Sequence, residues 1–297
     1  MTFNLFALTS DPARRIVRFS LSGEIQEELT THLKTQETQF LEHVEETIKF
    51  DGKYKPEQGE VLEIDNYDDI DGLANAIENP LDLPEITPSI ESYRGIKAIF
   101  SGYMDTDGSA VILLQNFDKR MILSNEGISI FHSENTYKKV CGVGLTIDTK
   151  LSAILKGSSL KFFSFHMVRQ IFDLSEYYRE ATDTDIRDFV GLPTIKSVDL
   201  TNLIAISDTW VRRKFSLIQQ SRILETVSIN QIRTVAQEFN IPLIVVVQDE
   251  LELIELPQTK SELKTLLRFL DEDYYKSPLS QTQWITNSKR LAQIHLN

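Results

Sequence analysis

Asp148 and Lys150 stand two residues apart at the end of an apolar run, Val143-Gly-Leu-Thr-Ile147. Metal-dependent nucleases set an acid and a lysine at such a strand end, the acid to hold Mg²⁺ and the lysine to steer the attacking water. That chemistry needs a second acid on a neighbouring strand. The acids at hand, Asp105, Asp107 and Asp118, sit in turn contexts. The triplet therefore reads as a strand-end turn, with a metal-dependent nuclease built on Asp148 and Lys150 as the rival. Asp105-Thr-Asp107-Gly108 opens like a calcium loop, but position 116 is Asn where a glutamate ligand is required, so it reads as a hairpin turn. The 5 histidines (His32, His43, His132, His166 and His295) include no His-x-His or His-x-x-x-His pair that could hold a metal on one face. His166, in Ser-Phe-His-Met-Val, reads as a core or edge histidine. There is no Gly-x-Ser-x-Gly elbow, no Gly-x-x-x-x-Gly-Lys loop and no dinucleotide fingerprint. Cys141-Gly-Val-Gly144 has too little glycine around it to cradle phosphate, and a lone cysteine excludes an internal disulfide framework or a cysteine-rich zinc site. The expectation is a protein without catalytic residues, metal or cofactor.

The clearest cationic feature is Thr209-Trp-Val-Arg-Arg-Lys-Phe-Ser-Leu-Ile-Gln-Gln-Ser-Arg222. At 100° per residue, Arg212, Arg213, Ser216, Gln219 and Gln220 share one polar face, with Trp210, Val211, Leu217, Ile218 and Leu224 opposite. Lys214 and Arg222 fall on the apolar arc, from which long stems can reach solvent. Arg, Ser and Gln on an exposed face are what phosphate and sugar contacts use, although an ordinary solvated face has the same composition. A second cationic point is Lys289-Arg290, near the C-terminus.

A net charge of −13 argues against a nucleic-acid partner until its location is considered. Gly23 to Glu91 holds 19 acidic and 4 basic residues, whereas Ser92 to Asn297 holds 24 of each. The excess of acid over base is confined to the N-terminal third. The N-terminus has no basic residue ahead of its short apolar run, so it does not read as a signal peptide. The longest apolar stretch, Ile241 to Val247, is about a third of a membrane span. A cytoplasmic protein is expected.

The elements that must position these residues form an α+β chain. Its N-terminal part, residues 1–172, is read as antiparallel and β-rich with a long amphipathic helix. Its C-terminal part, residues 173–297, is read as mainly helical with a small β-hairpin. Asn4–Thr9 and Ile16–Ser22 form a hairpin about Asp11-Pro12, and Ser22 caps a helix to Lys49 with Leu29, Leu33, Phe40, Val44 and Ile48 on one face. Asp51–Pro88 reads as a connecting arm with a short helix near Leu73. From Ile96, runs separated by Asp-Gly and Asn-rich turns (98–100, 110–114, 120–123, 128–131, 143–147, 153–155 and 160–163) suggest an antiparallel meander. Residues 174–190, 199–206, 208–224, 228–240 and 259–270 read as helices, and 243–256 as the hairpin. Asp271 to Ser280 reads as an acidic-aromatic turn.

The succession Trp210-Val-Arg-Arg-Lys-Phe-Ser-Leu-Ile, Ser-Arg-Ile-Leu224, Glu238-Phe-Asn240, Leu266-Leu-Arg-Phe-Leu-Asp-Glu-Asp-Tyr-Tyr275, Ser277-Pro-Leu279 and Ser288-Lys-Arg290 resembles the KwaB subunit family of the Kiwa bacterial anti-phage defence system. The resemblance is carried by residues 209–290. It implies a defence effector that binds double-stranded DNA without sequence preference and restrains phage DNA replication and late transcription. It also implies a homodimer or larger assembly, recruited to the inner membrane face by an integral membrane partner, KwaA. Within the matched motifs, Arg212, Arg213, Lys214, Arg222, Lys289 and Arg290 have the chemistry for DNA contact. Besides the nuclease, a second rival is a protein-interaction adaptor that docks a basic partner on the acidic helix Glu24–Lys49, through Glu42, Glu45 and Glu46.

Overall fold

The computed structural model describes residues 2–67, 72–124, 130–133, 135–139, 142–196, 198–286 and 288–290. The acidic run at 68–71, the start of the strand expected at 128, Cys141, Asn287 and His295 lie outside them. The chain divides into two compact units, one of Met1–Asp51 with Lys55–Leu174, the other of Gly52–Tyr54 with Ser175–Asn297. It is α+β, strand-rich in the first unit and more helical in the second. Among the described residues no helix is long and apolar enough to cross a membrane.

The first unit contains β1 (Phe6–Thr9), β2 (Ile16–Arg18), α1 (Gly23–Leu41), β3 (Glu46–Lys49), β4 (Glu60–Ile64), α2 (Leu73–Glu78) and α3 (Ile90–Arg94). It continues with β5 (Ile96–Met104), β6 (Ala110–Asn116), β7 (Ile122–Leu123), β8 (Ile130–Ser133), β9 (Thr136–Lys139), β10 (Gly144–Leu145), β11 (Ala153–Lys156), β12 (Ser159–Phe162) and α4 (Phe165–Val168). Eight strands make one sheet in the order β2-β1-β5-β6-β11-β12-β4-β3. All its pairings are antiparallel except β3 with β4. The terminal hairpin and the Ser22 cap of α1 form as expected, and Leu29, Leu33 and Phe40 are buried.

Three expectations are corrected here. The helix ends at Leu41, not Lys49: the four-residue apolar step continues through Val44 and Ile48, but Thr47-Ile48 belong to β3, where branched side chains pack well on a pleated surface. Residues 51–88 are not only an arm, because β4 supplies three fully buried side chains, Val61, Leu62 and Ile64. The meander is interrupted. Ala153 to Lys156 pair directly with β6, so β7 and β10 leave the sheet and pair with each other. The Asp118 carboxylate, accepting from the Arg120 amide, starts the turn that diverts the chain.

The second unit contains α5 (Asp183–Val190), α6 (Leu200–Ile206), α7 (Thr209–Ser221), α8 (Ile223–Thr226), α9 (Ile229–Glu238), β13 (Val245–Gln248), β14 (Leu251–Ile254), α10 (Lys260–Leu270), β15 (Tyr274–Lys276) and β16 (Gln283–Ile285). Caps set the helix starts. Thr182 with Asp185, Asp199, Asp208, Ser228 with Gln231, and Thr259 each accept backbone N–H groups. Val211, Phe215 and Ile218 of α7 pack in one cluster with Phe189, Leu263 and Leu267. The long helix expected over 208–224 breaks at Arg222, which adopts a left-handed conformation with φ of 55°. The helix expected from 174 begins only at Asp183, where the capping box first satisfies its amides. Instead of a plain turn after α10, a second hairpin forms from β15 and β16. Gly52, at φ of 83°, lets residues 52–54 join this unit, since a Cβ there would collide with the Tyr177 carbonyl.

Candidate nucleic-acid interface

The polar face expected on α7 is largely engaged inside the second unit. The Arg212 guanidinium donates to the carbonyls of Ala181 (2.9 Å) and Ser207 (3.2 Å) and to the Asp183 carboxylate (2.6 Å). Arg213 donates to the Gly52 carbonyl at 2.9 Å and lies 4.3 Å from the Tyr178 ring centroid. Ser216 is buried. Each of these bonds fixes a loop that packs on α7, and a guanidinium so engaged gives up little to an incoming phosphate.

Lys214 does not reach for solvent. Its side chain is 9% exposed, and its ammonium bonds Asp271 and, at 2.6 Å, Asp273, whose side chains are 2% and 3% exposed. Lys289 closes the same cluster, 3.0 Å from Asp273 and donating to the Asp271 carbonyl. Its own amide donates to the Lys53 carbonyl at 3.1 Å, and the Arg290 guanidinium lies 5.2 Å from the Tyr54 ring centroid. The structure thus joins Lys214 and Lys289 in one two-lysine, two-aspartate cluster, while Arg213 and Arg290 hold residues 52–54. Arg222 stays apart, exposed and paired with Glu225 at 2.9 Å.

The sequence reading missed a different cationic stripe. Lys260, Lys264 and Arg268 fall at four-residue steps on α10, so they share a face and span roughly 12 Å. Lys264 and Arg268 each lie 5.2 Å from the Trp210 ring centroid, and Lys214 lies 5.5 Å from it on its buried side. Asp208, the cap of α7, pairs with Lys264 at 2.9 Å and Lys260 at 3.0 Å. Burial would raise the Asp208 carboxyl, but the Val211 amide and these two ammonium groups hold it well below the ordinary carboxylate range. Three cations against one acid leave a surplus of positive charge around an aromatic ring. The four-residue step was visible in the sequence. It passed unnoticed because residues 259–270 were read simply as a helix.

Residues 109–280 match the family model described as Kiwa protein KwaB-like. The chain belongs to the KwaB-like family. Membership places it in the Kiwa anti-phage defence system. Neither a curated protein nor a solved structure matches the chain. The KwaB-like region starts a hundred residues before the motifs that suggested it, spans parts of both units, and stops short of Ser288-Lys289-Arg290. The stripe on α10 lies within it.

In the first unit, the nuclease-like residues are held by local bonds. The Asp148 carboxylate accepts from the Thr149 amide at 2.6 Å, and Lys150 is exposed. Asp105 and Asp107 pair with Lys156, and Asp118 with Arg120. The Lys156 ammonium and the Thr106 amide lower the Asp105 carboxyl, and Arg120 does the same for Asp118. Among the described residues no group of three or more His, Cys, Asp or Glu could hold a metal ion. The acidic residues read as a docking face lie beyond the helix: the Glu42 amide closes the last turn of α1, and the amides of Glu45 and Glu46 both donate to the Gly59 carbonyl.

Proposed function

We propose that this KwaB-like protein is the DNA-binding subunit of its Kiwa system, gripping duplex DNA through phosphates and restraining phage replication and transcription. It acts as a homodimer or larger assembly with the integral membrane partner KwaA, which draws it to the inner membrane face. The observation that carries DNA binding is the stripe of Lys260, Lys264 and Arg268 beside Trp210, with Asp208 the one acid paired to it among the described residues. Such cations release counterions from phosphates and supply affinity without base readout. Of the residues suggested by sequence, Arg222 and Arg290 remain exposed and can add flanking charge. Arg212, Arg213, Lys214 and Lys289 serve this reading by holding α7 and the C-terminal segment in place.

The test is duplex binding by the full chain over a salt series, with unrelated sequences in parallel. Equal affinity for all sequences and a log–log salt slope of about −3, as three phosphate contacts require, support the reading. Strong preference for one sequence, or binding indifferent to salt, would sink it.

A further inference from the structure

A cavity of about 760 Å³ opens in the first unit between the end of β6, the 146–149 loop and α4. It falls in the size range of small-molecule sites. Two buried amides are spent on its rim. The Asp148 carbonyl accepts from Gln36 at 2.9 Å and Gln115 at 3.0 Å, and the His32 ring lies 3.0 Å from it. The Gln115 side-chain carbonyl also accepts from the Asp148 amide, and Gln36 and Gln115 are 3% and 1% exposed. Burying two amides is costly unless every polar atom is used. Here they fix one surface loop, which is more than a plain strand-end turn requires.

The opposite wall is oriented in the same way. Asn116 donates to the Met167 carbonyl at 2.8 Å and to the Gln170 side-chain oxygen at 3.2 Å. That fixes the Gln170 amide so that its nitrogen faces His166 Nε2 at 3.1 Å. An amide nitrogen donates, so Nε2 accepts and the ring proton sits on Nδ1, leaving an N–H donor on an exposed imidazole. Phe117, Met121, Ile147 and Met167 supply an apolar wall. Arg120 lines the cavity, and exposed Lys119, Lys150 and Arg169 adjoin lining residues, against Asp118 and Asp148. The site is suited to a ligand with a flat apolar ring, hydrogen-bonding edges and negative charge.

We propose that this cavity binds a nucleotide, its base against the methionine and phenylalanine wall within reach of His166, and its phosphate toward Arg120 and Lys150. The inference is independent of duplex binding by α10. Titrating the full chain with N-methylanthraniloyl-ADP tests it. Saturable binding is expected, displaced by ADP or by a short single strand, the former pointing to a free nucleotide and the latter to a strand end. Inorganic phosphate alone should displace it at least tenfold less effectively. His166→Ala and Thr149→Ala, both at exposed positions, should each weaken binding about tenfold without changing the thermal melt. Lys264→Gln should leave it unchanged. Absence of saturable binding, full affinity in both cavity variants, displacement by phosphate as effective as by ADP, or loss in Lys264→Gln each overturns the proposal.

Discussion

α7 and α10 lie in the same unit and both carry cations at helical spacing, yet they use them differently. On α7, Arg212, Arg213 and Lys214 face carbonyls and carboxylates of their own unit, and Lys214 is nearly sealed from water. On α10, Lys260, Lys264 and Arg268 share one aspartate and one indole, so charge is left over. The density of positive residues along a helix therefore says little about what a polyanion can reach. What decides is where the acids are, and the acids that neutralise Lys214 come 57 and 59 residues later.

The largest effect expected from this contrast is on stability. Lys214→Met leaves Asp271 and Asp273 buried with only Lys289 beside them, which should cost about 3–5 kcal/mol in urea unfolding. Adding Asp271→Asn to it should recover most of that loss, because Asp273 then pairs one to one with Lys289 and no buried charge is uncompensated. A loss under about 1 kcal/mol for Lys214→Met alone would mean that the cluster is not part of the core. On the other helix, converting Lys260, Lys264 and Arg268 together to Gln should leave folding nearly intact and flatten the salt slope of duplex binding by about 2.7. An unchanged slope would move the DNA path elsewhere.

Asp208 connects the two helices and gives a pH test. A carboxyl depressed in the folded state adds stability that is fully present above its unfolded pKa, near 3.8, and is lost as pH falls through the folded value. Asp208→Asn keeps a good N-cap but removes the charge shared with Lys260 and Lys264. The variant should be less stable than the parent at neutral pH, by about 1 kcal/mol or less given the partial exposure, and the gap should narrow steadily as pH falls below 3.8. Thermal melts between pH 7 and 2.5 measure it. A gap that widens on acidification would reverse the assignment.

Much of the fold was legible because local chemistry decided it. The Ser22 cap, the helix starts at Asp199, Asp208 and Thr259 and the turn between β13 and β14 are short-range signals, and each holds. Failures came where distant partners decided. Val44 and Ile48 keep a helical step while pairing with β4 places Ile48 in a strand, and β7 and β10 match the pattern of a meander whose place in the sheet is taken by β11. The candidate site failed for the same reason. A helical wheel orders Arg212, Lys214 and Ser216 by angle alone, and nothing local marks Gly52, Asp271 or Asp273 as their neighbours.

Arg222 stands between the two classes, and it sharpens the contrast with the smallest expected change. It is 70% exposed, more than Lys260 or Lys264 of α10 at 48% and 29%, but paired with Glu225 within the same turn, as those of α7 are paired. An exposed pair of this kind contributes little to folding. If an acid of its own, rather than one shared as Asp208 is, removes a cation from the DNA-binding set, Arg222→Ala should weaken duplex binding less than threefold and leave the salt slope where it was. A slope reduced by about 0.9, the signature of one lost phosphate contact, would instead show that DNA outcompetes Glu225. In that event exposure, rather than pairing, would separate the cations of α10 from those of α7.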